Sequence, residues 1–188
     1  MDLTYAALKP DYTARLAAIQ FTKMEGALVQ ARLLLRHKDR FINLQTMSKV
    51  PALWVIPVFY REAPDFNTYL GNGDPLDAPT VDEPADRGPF PTWEAGAMDA
   101  LEFDGITGKT DWSWEHSCYL WERYNGFGPR KRGHVSGYVW SGTDQYTGGK
   151  YVSDGVWSPT TFDQQLGCVV LAKAIVQLDQ ELGAEFVS

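Results

Sequence analysis

Glu62 closes the run Leu53-Trp54-Val55-Ile56-Pro57-Val58-Phe59-Tyr60-Arg61, so a carboxyl stands where an apolar segment gives way to a polar one. Beside apolar groups a carboxyl loses the hydration of its charged form and keeps its proton to higher pH. Donating that proton to a leaving oxygen, as glycoside hydrolysis requires, is the chemistry such a group can do. Taken alone, Glu62 reads equally well as a charged helix end facing water. Asp74 lies on the loop that follows, fixed in a turn by Gly73 and Pro75, and is the first candidate for a second carboxylate, ahead of Asp65, Asp82 and Asp86. Its alternative is a turn residue capping its own backbone. A pair about 5–5.5 Å apart would give retention and one about 6.5–9.5 Å apart inversion.

Other chemistries find less support. His37, His116 and His134 are scattered without zinc-site spacing, so neither a metal nor another cofactor is expected. A cysteine peptidase pairing Cys118 with His134 is weaker than inert burial of Cys118 on the apolar side of a helix. Cys118 and Cys168 could be bridged only if the fold brought their Cα atoms within about 7 Å, and they read as reduced, buried thiols given a cytoplasmic place of synthesis. The net charge of −7 argues against nucleic acid as a partner. No apolar run approaches the roughly 20 residues of a membrane span, so no membrane insertion is expected. Asp2, Lys9, Asp11 and Arg15 interrupt the first stretch, which therefore does not read as a secretory signal.

The elements that must position these residues read as mainly α-helical, in a single domain over residues 1–188 with long irregular loops and at most a small β-hairpin near Asn67–Thr80. Tyr12–Leu35 has helical periodicity for one or two amphipathic helices. Pro51 suits a first turn, and Ala52–Arg61 is apolar on nearly every side, as in a helix buried at a domain centre, with a bend allowed at Pro57. Ala63–Pro91 is too rich in Pro, Gly, Asp and Asn, and too long, for an ordinary connection. Helices are expected over Trp93–Phe103, capped by Thr92, and over Ser113–Tyr124. Gly126–Ser158 reads as irregular with short helical turns, and Thr160–Leu182 as one strongly periodic helix. Seven Trp and nine Tyr exceed what a core of this size needs, and many fall with much of the Gly between Trp112 and Trp157. That mixture suits a shaped polar groove, with core packing as the default for any single ring.

The stretch Arg61-Glu62-Ala63-Pro64-Asp65-Phe66, with Ala63 where Ser is common, resembles the catalytic segment of goose-type lysozymes and lytic transglycosylases. Glu122-Arg123-Tyr124-Asn125-Gly126 resembles the Tyr-Asn-x-Gly segment of the same superfamily. Together with Asn72–Leu76, Trp93–Ala97, Arg123–Gly128 and Gly149–Gly155, these look like a group of phage and bacterial lysozyme-like proteins over roughly Leu53 to Leu178. The resemblance implies a lysozyme-like helical domain, acting as a monomer on peptidoglycan glycan strands at the β-1,4 bond between MurNAc and GlcNAc. It makes Glu62 the general acid; Asp74 remains the candidate second carboxylate on its turn setting alone. Phe66 would pack under the catalytic segment, Asn72 would contact substrate, and Tyr124 and Asn125 would hydrogen-bond the sugar or order the carboxyl. For Tyr124 a core tyrosine is the alternative. Tyr138, Trp140, Tyr146 and Tyr151 fall where related enzymes build the far wall of their cleft, and are candidate sugar platforms.

Three further readings stand beside this one. A lytic transglycosylase would need no second carboxylate, because the sugar's own 6-hydroxyl closes an anhydro ring. A chitinase-like glycosidase would share the fold, and a non-catalytic wall-binding or virion structural protein would share it without the chemistry. Arg130, Lys131 and Arg132 read as a solvated loop or as a contact with the anionic wall. The expected location is that of a phage endolysin, held in the host cytoplasm until a holin opens the way to the wall, or carried in the virion.

Overall fold

The computed structural model describes residues 1–62, 65–153 and 155–186. Ala63 and Pro64 of the catalytic-type segment and Asp154 of the Gly149–Gly155 segment lie outside the described residues. The chain is mostly helical with one small antiparallel sheet, and it divides into two compact units. One is a continuous stretch, Leu34–Thr110; the other is assembled from Met1–Leu33 and Asp111–Ser188. Among the described residues no helix is long and apolar enough to cross a membrane.

The continuous unit is built on α3 (Lys38–Ser48), α4 (Ala52–Glu62) and α5 (Trp93–Phe103), with α3 packed against both of the others. Every residue of α4 from Ala52 to Phe59 is buried. Pro51 sits one residue before the helix rather than inside it, its carbonyl accepting from Trp54 and Val55, and Gln45 Oε1 accepts from the Ala52 amide at 2.6 Å. Pro57 removes one rung of the hydrogen-bond ladder, yet the helix continues to Glu62 because packing on all sides holds it. Phe41 of α3 meets Phe59 and Trp93 edge to face, with centroids 5.3 and 5.7 Å apart. As expected, Thr92 caps α5, accepting from the Ala95 amide.

No strand forms between Asp65 and Pro91; the expected hairpin is reduced to a single bridge, Thr68 with Pro75. Other bonds hold this segment. Tyr69 stacks on Phe90 with centroids 5.3 Å apart and donates to Asp99 Oδ2 at 2.8 Å, while Arg87 forms a two-pronged pair with the same carboxylate.

In the discontinuous unit, α1 (Tyr5–Ala18) packs along α6 (Trp114–Tyr124), and α2 (Met24–Leu34) follows α1 after a break. The break falls where the Thr22 and Lys23 amides both donate to the Gly142 carbonyl, which divides the periodic stretch into two helices. Two four-residue helices follow, α7 (Gly128–Lys131) and α8 (Gly137–Trp140). The strands β1 (Lys150–Ser153) and β2 (Val156–Ser158) pair antiparallel with an irregularity between Tyr151 and Ser153. The last helix is shorter than its periodicity predicts: α9 runs from Cys168 to Leu178, followed by a 3-10 turn over Gln180–Gly183. Its start is displaced because Gly167 lies directly against the backbone of Val139 and Ser141, donating to the Ser141 carbonyl at 2.8 Å.

A charged network centred on a buried carboxylate runs through this unit. Glu122 is fully buried and accepts from Tyr12 Oη at 2.6 Å and from Arg130 Nε and Nη2 at 2.9 and 2.7 Å. Arg130 Nη1 also reaches Asp11 at 3.0 Å. Burial pushes the Tyr12 hydroxyl well above its ordinary value, and the neighbouring Glu122 adds to the rise. Burial would also raise the Asp11 carboxyl, but bonds from Arg15 and Arg130 outweigh it and hold that group low.

Candidate active site

Glu62 is the last residue of α4 and is half-buried, so a carboxyl leaves the most apolar helix of its unit where the Asp65–Pro91 segment begins. That segment folds back onto it. A Cβ at Gly73 would lie 2.9 Å from the Glu62 carbonyl oxygen, and Gly73 has φ +82°, so glycine alone fits there without strain. Its amide donates to the Tyr69 carbonyl at 2.8 Å, and the Tyr69 amide in turn donates to the Asp74 carbonyl at 2.7 Å.

The residues flanking Gly73 fasten this turn to the chain beyond it. Asn72 Oδ1 accepts from the Asp74 amide at 3.0 Å and Asn72 Nδ2 donates to the Asp82 carbonyl at 2.9 Å. Asp74 Oδ2 accepts from the amides of Val81 and Asp82 at 2.7 and 3.0 Å, whereas Oδ1 has no partner among the described residues. Asp74 is thus a half-buried carboxylate with one oxygen clamped and the other open. Asp65 instead accepts from the amide and side chain of Asn67, two residues on, as a turn residue does.

Phe66 stacks on Phe59 of α4 with centroids 4.5 Å apart and lies edge to face with Trp93 at 4.9 Å. Above its ring, 4.1 Å from the centroid, sits the Arg40 guanidinium, whose Nε and Nη2 hold Glu94 at 2.7 and 2.9 Å. Phe66, Trp93, Arg40 and Glu94 line an open groove of about 720 Å³ together with Asn67, Leu76 and Phe90; neither Glu62 nor Asp74 is among its described lining residues. The size is that of a small-molecule or oligosaccharide site, with apolar rings and a few fixed polar groups. Arg40 escaped sequence reasoning because its partner lies 54 residues away on another helix, and nothing local marks such a pair.

The remaining predicted residues belong to the discontinuous unit. Tyr124 is half-buried at the end of α6 and Asn125 is exposed just after it. Trp140 is corrected from sugar platform to core residue, for its ring has no exposure at all. Tyr146 is corrected likewise: its hydroxyl donates to the Gly149 carbonyl and accepts from the Asp163 amide, both at 3.0 Å, so it braces the loop. Tyr138 is buried too, whereas Tyr151 on β1 is 37% exposed. Comparison with protein-family models, with curated proteins and with solved structures finds no match to this chain. Cys118 is a fully buried free thiol that burial, and then Cys168 beside it, pushes well above its ordinary range.

Proposed function

We propose that this chain is a lysozyme-like peptidoglycan glycosidase in which Glu62 protonates the leaving oxygen of the β-1,4 bond between MurNAc and GlcNAc. One observation carries the reading: a half-buried carboxyl ends a helix buried on all sides, and a glycine turn closes directly over its backbone. A general acid must hold its proton near neutral pH, and surroundings of low polarity favour the protonated form. The turn also fixes Asp74, which presents one open carboxylate oxygen as the candidate second carboxylate. Phe66, stacked on the same helix, lines a groove that would take sugars beyond the bond that is cut, since neither carboxylate is among its lining residues. The setting that fits is a phage lysin, reaching the wall through a holin or carried in the virion.

Purified peptidoglycan tests it. Wild-type protein should release muropeptides, and Glu62→Gln should lower the rate by about 10²–10⁴-fold, the usual contribution of a general acid, while still binding the wall. Mass spectrometry of the products separates hydrolysis, which leaves reducing ends, from transglycosylation, which leaves anhydro ends. Undiminished turnover by Glu62→Gln would remove the proposed acid. A wild-type protein that binds walls and releases nothing would be a non-catalytic binder.

A further inference from the structure

Arg132, Tyr151 and Trp157 form a surface cluster in which two aromatic rings hold a cation. The Arg132 guanidinium lies 5.5 Å from the Tyr151 centroid and 5.6 Å from that of Trp157, and its Nε donates to Tyr151 Oη at 3.2 Å. Tyr151 and Trp157 are register partners across β1 and β2 and meet edge to face, with centroids 5.0 Å apart. The backbone beneath is shaped for them. A Cβ at Gly128 would come within 2.9 Å of the Tyr151 ring, and one at Gly149 within 2.8 Å of Trp157 and 2.6 Å of His134 Nδ1.

With Nε committed to Tyr151, the two Nη nitrogens of Arg132 have no hydrogen-bond partner among the described residues. Neither Arg132 nor the adjacent Lys131 has a carboxylate partner there, and both are exposed. On a chain of net charge −7 this is a local reversal of sign. A guanidinium already oriented by two rings offers its planar fork to a carboxylate at little further loss of side-chain freedom. Rings beside the fork can cover the apolar face of a pyranose.

We propose that Arg132 receives the carboxylate of an acidic sugar in a wall glycan, with Tyr151 and Trp157 against the sugar ring. The identity of the polymer rests on the function proposed above; the contact itself makes no use of Glu62. A phosphate would suit the fork equally, but a glycerol phosphate chain has no ring to set against the two aromatics.

Calorimetry on the full-length Glu62→Gln protein tests this with two peptide-free tetrasaccharides, alternating GlcNAc-MurNAc and chitotetraose, which differ in the lactyl carboxylates. The MurNAc form should bind about tenfold more tightly, the worth of one charge-assisted contact. Adding Arg132→Gln should bring the two affinities within roughly twofold, and Arg132→Lys, which keeps the charge but loses the fork, should remove most of the difference. Equal affinities at the outset, a difference that survives both substitutions, or equally tight binding of oligo(glycerol phosphate) would overturn the proposal. Failure of the Glu62 reading is a separate result, seen as turnover by the Glu62→Gln protein.

Discussion

Tyr12 donates its hydroxyl proton to Glu122 across 2.6 Å, joining two residues 110 positions apart inside the discontinuous unit. Arg130 supplies the compensating charge to Glu122 through two further bonds. Removing one partner of a buried ion pair strands the other, so Arg130→Met should destabilise the protein by about 3–5 kcal/mol. The double variant Arg130→Met with Glu122→Gln should recover part of that loss. Urea unfolding of the three proteins checks both expectations, and a double variant no more stable than the single one would refute the account.

The Arg40–Glu94 pair makes stability depend on pH. Hydrogen bonds from Arg40 hold the Glu94 carboxyl below its ordinary value of 4.5, against an opposing effect of burial. The folded state therefore binds its proton less readily than the unfolded chain. The stability this contributes is fully present above about pH 4.5 and is lost as pH falls through the lowered folded value. Replacing Arg40 by Met should flatten the pH dependence of unfolding below pH 5, which chemical denaturation at a series of pH values will read.

Gly73 connects stability to the proposed chemistry. A Cβ there meets the Glu62 carbonyl at 2.9 Å on a backbone with φ +82°. Gly73→Ala should cost about 1–3 kcal/mol in backbone strain, and by moving the end of α4 it should lower wall-lytic turnover about 10²-fold. Melting curves and a turbidity assay measure the two effects separately.

Asp74 can be divided into its two tasks. Asn at this position retains an oxygen for the Val81 and Asp82 amides but loses the charge. Asp74→Asn should therefore keep the 74–82 segment resistant to protease while reducing turnover about 10²-fold or more, and Asp74→Ala should lose both. Full activity in Asp74→Asn would confine the residue to holding the loop and favour the transglycosylase route, which needs no second carboxylate.

The sequence is most legible where local pattern and tertiary packing agree. The unbroken apolar run of α4 announces its burial, and Thr92 announces the start of α5, because a cap is chosen by residues within one turn; Ser113, expected as the first residue of α6, is its cap. Helix α3 escapes notice, since only Phe41, Leu44 and Ser48 of its residues are buried and its exposed face leaves a weak periodic signal. Periodicity also overextends α9, where close backbone packing at Gly167 overrides a strong local preference. Among the candidate site residues, the place of Glu62 at the end of a buried helix is legible in the apolar run before it, whereas no local pattern announces that Phe66 stacks on Phe59. The burial of Trp140 and Tyr146 is not legible either, because composition cannot separate an aromatic that faces a ligand from one that fills the core.

Chain order gives the two units unequal histories during synthesis. All of Leu34–Thr110 is one continuous stretch, so its contacts can close as soon as that stretch has left the ribosome. The first segment of the other unit, Met1–Leu33, carries Tyr12, whose acceptor Glu122 is translated 110 residues later. At ordinary elongation rates that is a delay of roughly 5–20 s, during which α1 has neither its helical neighbour nor a counterpart for its buried hydroxyl. The first segment made thus belongs to the last unit completed, and a nascent chain halted before Glu122 should expose α1 to chaperones and proteases while Leu34–Thr110 is already closed.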